Sequence, residues 1–221
     1  MDLVIDRKFR GPAQSANGGY TCGLLASFRH GPAEVTLRLP PPLERPLEVV
    51  TDGALELRDG DAVVAEAAAA ELGLEVPDPI SFEEAGAAAL PNGDTESVFP
   101  ECFVCGWSRD DGLRIYAGPV AGREEVVAAT WTPREEFVAP EFVWAALDCP
   151  GAYAVQSGWR GTPVLGRLTA RVEHLPHPGE PCVVMAWPLG HDGRKLYAGT
   201  ALYGQDGRVL GSAKATWIIP R

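Results

Sequence analysis

Two stretches decide how this chain is read: residues 54–67, ALELRDGDAVVAEA, and residues 200–213, TALYGQDGRVLGSA. Each is a short run of strand-forming residues, an Asp-Gly pair, and a second run. The pairs are Asp59-Gly60 and Asp206-Gly207. Asp-Gly between alternating apolar runs is a strong hairpin signal, because both central turn residues need positive φ. Working outward, each hairpin is preceded by further strand patterns and by one helical segment. In the first half, residues 2–9 alternate weakly, as a short strand does. GPAQSANGG (11–19) is a loop that offers Ser15 or Asn17 as a helix N-cap. Tyr20, Leu24, Leu25 and Phe28 follow at helical spacing, and Gly31-Pro32 stops that helix. Val35, Leu37 and Leu39 then point inward from a period-2 strand, and LEVV (47–50) adds another.

The second half repeats the plan. GLRIYAGPV (112–120) and EVVAATWTP (125–133) read as strands. PEFVWAALDCPGAYAV (140–155) is helical in its first part, with Phe142, Val143, Ala146 and Leu147 on one side. VLGRLTARVEHL (164–175) alternates sharply, and PCVVMAWPL, KLYAGTALYG and RVLGSAKATWII complete the strands. Between the halves, residues 72–100 have scattered prolines, an acidic skew and little periodicity. They read as a surface linker, with a short helix at 81–89. The economical account is tandem duplication of one α+β unit: residues 1–75, a linker 76–106, and residues 107–221.

Composition sets limits. The 221 residues are 46% hydrophobic and 22% charged, which suits a globular chain with a sizeable core. The net charge of −11 repels phosphate backbones, so nucleic acid is not expected as a partner. No run of about 18 apolar residues exists, so no membrane span is expected. The N-terminus lacks the apolar core of a signal peptide. Five cysteines make no disulfide framework, and the expected location is cytoplasmic. Sixteen Arg against three Lys is the usage of a GC-rich, bacterial genome.

One helix followed by a twisted antiparallel meander, twice in a chain, resembles the double-hotdog acyl-CoA thioesterases and their relatives. Three segments carry the resemblance. Gln14-Ser15-Ala16-Asn17-Gly18-Gly19-Tyr20 is similar to the His-Gly-Gly or Gly-Gly start of the central hotdog helix. Phe142-Val143-Trp144-Ala145-Ala146-Leu147-Asp148 resembles the later part of that helix, where an acidic residue follows an apolar run. ALYGQDGRVLGSAKATWI resembles the closing hairpin. The resemblance implies two tandem hotdog units, each with a central helix wrapped by an antiparallel sheet. It also implies a thioesterase-like hydrolase acting on an acyl-CoA or related thioester. A homodimer of double hotdogs is an open assembly. No cofactor beyond the thioester substrate is expected.

The chemistry follows the helix start. Free N–H groups and the dipole there favour developing negative charge. Gly19 and Tyr20 are therefore the expected oxyanion amides, with Asn17 as cap or substrate contact in place of the family's frequent His. In the family the acid lies seven or eight residues beyond the Gly-Gly. In half two Pro140-Glu141 stands for Gly-Gly, and Asp148 is the acid. In half one the matching position is the inert Ala26. Half one thus keeps the glycines and half two the acid, which implies one composite site and one degenerate site. Asp148 would be general base or nucleophile; alternatively it caps a turn starting at Cys149-Pro150. The Asp, Thr and Gln set of the medium-chain double-hotdog enzymes is not matched: Leu168-Thr169 and Ala215 stand at the Asp and Gln places. No His sits at either helix start, which disfavours hydratase chemistry.

Arg194 and Lys195 at a hairpin tip, with Arg167 and Arg171 on one strand face, are the expected phosphate-binding patch. The alternative is a solvated strand edge. Cys102-x-x-Cys105 lacks a second pair, so no metal is expected, although His174 and His177 could complete a zinc site. Two rivals to the enzyme reading stay open: a non-catalytic acyl-thioester-binding or structural hotdog, and a zinc-stapled interaction module built on Cys102 and Cys105.

Overall fold

The computed structural model describes residues 1–90, 99–157 and 160–220. Residues 91–98 of the linker expected between the halves lie outside the described residues. Among the described residues, every strand joins one antiparallel sheet. The strands are β1 (Asp2–Val4), β2 (Ala33–Leu37), β3 (Pro46–Val50), β4 (Leu55–Asp59), β5 (Ala62–Ala69), β6 (Gly118–Pro119), β7 (Val127–Trp131), β8 (Val164–Val172), β9 (Cys182–Asp192), β10 (Lys195–Tyr203) and β11 (Val209–Ile218). The helices are α1 (Gly18–Ala26), α2 (Phe82–Ala88), α3 (Pro140–Ala146) and α4 (Cys149–Val155).

The strand order is β1-β3-β4-β5-β2-β8-β11-β10-β9-β7-β6. Apart from the extra β6, it is a palindrome about the β2–β8 junction. Each strand of the first half has a counterpart at the same distance from that seam. Gly60-Asp61 closes the β4–β5 hairpin, and a loop over 204–208 that contains Asp206-Gly207 closes the matching β10–β11 hairpin. At the seam Ala33 pairs with Ala170 and Val35 with Leu168, all four side chains buried. This is a double hotdog: two α+β units share one continuous sheet, and their helices lie against it.

The two central helices meet at glycines. A Cβ at Gly19 would lie 2.7 Å from the Trp144 carbonyl oxygen, and one at Gly23 would lie 2.6 Å from the Glu141 Cα. Gly19 and Gly23 are four apart, so they share one helix face and let α1 approach α3 backbone to backbone. Phe9, Tyr20, Phe103, Phe137 and Phe142 pack beside this contact, with Phe9 stacked on Tyr20 at 4.1 Å.

The structure revises several local expectations. Strand structure near the N-terminus stops at Val4. Residues Arg7–Phe9 instead form a 3-10 turn capped by Asp6, whose carboxylate accepts from Lys8 N–H (2.7 Å). Leu39 is exposed, because β2 ends at Leu37 and the amides of Arg38 and Leu39 both donate to the Val64 carbonyl. Residues 112–120 contribute only Gly118–Pro119 to the sheet. Leu113 and Ile115 donate to the carbonyls of Phe103 and Val104 (2.7 and 2.9 Å), so this segment pairs with the C-x-x-C turn. The short linker helix is present as α2, with a capping box between Ser81 and Glu84. The half-two helix is two helices, broken at Leu147-Asp148 ahead of Pro150.

Candidate functional site

Asn17 is the N-cap of α1. Its side-chain oxygen accepts from Tyr20 N–H at 2.8 Å. Its amide nitrogen is thereby turned away from the helix and donates to Asp148 Oδ2 at 2.9 Å. The same oxygen accepts from Gly19 N–H at 2.9 Å. A side chain from the break between α3 and α4 in the second half therefore sits on the first turn of the first half's helix. The absence of a Cβ at Gly19 makes this possible, since a Cβ there would collide with that of Asp148.

Asp148 occupies the N-cap position of α4, with φ −82° and ψ −81°, yet makes no capping hydrogen bond to that helix. Its side chain serves α1 instead. It is 2% exposed, and Oδ1 has no hydrogen-bond partner. Burial pushes its carboxyl up to about 7, against the opposing effect of the Gly19 and Asn17 donors. A carboxylate so placed has one oxygen fixed by two donors and the other buried without a partner.

The group lies on a cavity of about 1000 Å³, lined among others by Asn17, Gly18, Asp148, Cys149, Tyr153 and Trp217. Trp217 Nε1 is also buried without a partner. The cavity is mainly apolar with a few convergent polar groups, the usual character of a small-molecule site.

The structure brings Asn17, Gly19, Tyr20 and Asp148 together. It also changes how the amides are used. Gly19 N–H is taken by Asp148 and Tyr20 N–H by Asn17. Among the described residues, the amide left without a partner in this first turn is that of Gly18, which lines the cavity. Sequence reasoning missed it, although the rule that a cap satisfies the second or third helical amide leaves the first one free. At the corresponding start of α3, the N-cap is Ala139, with no side-chain hydrogen bond, and the position matching Asp148 is the buried Ala26. Ala26 presents no carboxylate there.

Three of the four basic residues, Arg167, Arg171 and Arg194, have partners of their own. Arg167 Nε donates to Thr36 Oγ1 (2.9 Å), and its guanidinium pairs with Glu34 (3.2 Å) across the β2–β8 seam. Arg171 pairs with Glu173 on its own side of the sheet (3.3 Å). Arg194 donates to the carbonyl of Ile219, whose neighbours Ile218 and Pro220 line the cavity. Lys195 is exposed beside it, opposite Ile218. The sulfurs of Cys102, Cys105 and Cys149 lie within 4.8 Å of one another. Among the described residues, neither His174 nor His177 belongs to that group.

No family model and no curated protein sequence matches this chain. Solved structures do. A Novosphingobium aromaticivorans protein, provisionally named a thioesterase, superposes with a TM-score of 0.67 at 13% identity, covering 100% of this chain and 95% of its own. A hotdog-fold protein of unknown function from Alicyclobacillus acidocaldarius gives 0.65 at 12% identity, covering 100% and 92%. The TesB protein of Mycobacterium avium subsp. paratuberculosis gives 0.60 at 12% identity, covering 93% and 88%. At these identities the likeness establishes the double-hotdog fold. Among the described residues, no helix is long and apolar enough to cross a membrane.

Proposed function

We propose that this chain hydrolyses an acyl-CoA or related acyl thioester in the cavity at the start of α1. One observation carries the reading: Asp148 of the second half is hydrogen-bonded to the first turn of the first half's helix on a cavity wall. The thioester carbonyl would accept from Gly18 N–H, where the helix dipole favours the developing oxyanion. Asp148 Oδ1 would take a proton from water while that water's oxygen bonds to the carbonyl carbon. Breakage of the C–S bond then returns the proton to the leaving thiolate. Asn17 and Gly19 hold Oδ2, which fixes the direction in which Oδ1 points. Arg194 and Lys195, beside the cavity-lining Ile218 and Pro220, would meet the nucleotide phosphates of a CoA carrier. Arg167 and Arg171 are engaged elsewhere and leave the proposal.

The test is thiol release from a panel of acyl-CoA substrates by wild type and Asp148→Asn. Loss of a general base should lower kcat by roughly 10²–10⁴-fold. Equal rates would end the role of Asp148. The second reading, a non-catalytic acyl-thioester binder, is favoured by one feature: the Gly19 and Tyr20 amides are already occupied. Binding of acyl-CoA without turnover of any substrate would establish it.

A further inference from the structure

We propose that Cys102, Cys105 and Cys149 hold a zinc ion in the wall of this cavity, with the fourth coordination position open to the cavity. From sequence alone no metal is expected, because a lone C-x-x-C supplies only two ligands. The third comes from the start of α4. It is placed there by the same helix break that presents Asp148.

Four observations support the site. First, the spacing fits. Tetrahedral zinc with Zn–S of about 2.3 Å needs sulfurs about 3.8 Å apart. The Cys102 and Cys149 sulfurs are 3.7 Å apart, and all three lie within 4.8 Å of one another. Second, the loop is shaped for the purpose. Gly106 N–H donates to the Cys102 carbonyl (2.8 Å) and closes a tight turn. Any side chain at Gly106 would meet Cys102 N at 2.5 Å and Pro100 O at 2.7 Å. Third, Asn17 Nδ2 lies 3.9 Å from the Cys102 sulfur and 3.8 Å from that of Cys149, so an outer-layer donor faces two of the three ligands. Fourth, all three cysteines are buried from bulk solvent yet border the cavity. A soft three-sulfur set suits zinc over magnesium or calcium. Three protein ligands with one open position is the form that exchanges a water or substrate atom.

The site does not depend on thioester hydrolysis, and its test does not read activity. Full-length protein, purified under reducing conditions without chelator, is assayed for zinc, stripped, and titrated with Co²⁺ alone. The expected results are one equivalent of zinc and a thiolate-to-cobalt charge-transfer band with the ligand-field bands of a tetrahedral ion. Cys102→Ser with Cys105→Ser should abolish the cobalt spectrum. Cys22→Ser and Cys182→Ser, which alter thiols outside the cluster, should leave it intact. Absence of both zinc and a cobalt spectrum in the reduced wild type would overturn the site, whatever the variants do. So would persistence of the band in the double serine variant, or a Cys102–Cys149 disulfide found by mass spectrometry in protein purified in air.

Discussion

At Gly19 a single hydrogen atom decides whether the site exists. The sequence suggests that paired glycines admit a substrate to the backbone. In the folded chain Gly19 does something else, because its missing Cβ makes room for the Cβ of Asp148. Gly18 alone faces the cavity. The two glycines therefore separate by experiment. Gly19→Ala should force the Asp148 segment away and destabilise the fold by about 1–3 kcal/mol, as overpacking does. Urea denaturation followed by circular dichroism measures this. Asp148 was legible because the count from helix start to acid survives duplication. Its hydrogen-bond partners were not, since they belong to a segment 129 and 131 residues away. The Cys102–Cys149 approach, 47 residues apart in the chain, is of the same kind. Sequence spacing showed the C-x-x-C pair, but only the folded path of α4 adds the third sulfur.

Among the elements, α1 depends most on its cap. Asn17 satisfies Tyr20 N–H through its oxygen and Asp148 through its nitrogen. Asn17→Asp should keep the cap and place a second carboxylate against Asp148. Asn17→Ala should lose the cap, worth about 1 kcal/mol, together with the contact to Asp148. Both variants should gain stability on acidification, because burial already raises the Asp148 carboxyl, and Asn17→Asp should gain more, since protonating one carboxylate also relieves the repulsion. Thermal melts of both variants across acidic to neutral pH check this. The helix starts, the hairpins and most strands were legible from period and turn residues. The strand expected over 112–120 was not, because the backbone of Leu113 and Ile115 pairs with Phe103 and Val104 and not with the sheet. The break at Leu147-Asp148 was half-legible: Pro150 announced it, but not that Asp148 would cap a helix other than its own.

For the whole molecule, the β2–β8 seam makes the halves one sheet, joined by backbone pairing, buried Ala and Val–Leu contacts, and the Arg167–Glu34 pair. They should unfold together. All six tryptophans lie at or beyond Trp107, so fluorescence reports the second half while circular dichroism reports both. Coincident denaturation curves by the two probes are expected; an earlier circular-dichroism transition would mean that the first half melts alone. Arg167→Ala should lower the common midpoint slightly, by less than about 1 kcal/mol, since the pair is partly exposed.

The palindrome also fixes what is left at the sheet's two ends. One end is β1, three residues long, and the other is β6, two residues long and containing Pro119. Strands this short present few unpaired backbone groups to another molecule. The long edges that a lone half would expose, β2 and β8, are spent on each other. Fusion of the halves thus ends the ribbon at both sides, and a chain of this shape resists growing into a fibre by adding copies strand to strand.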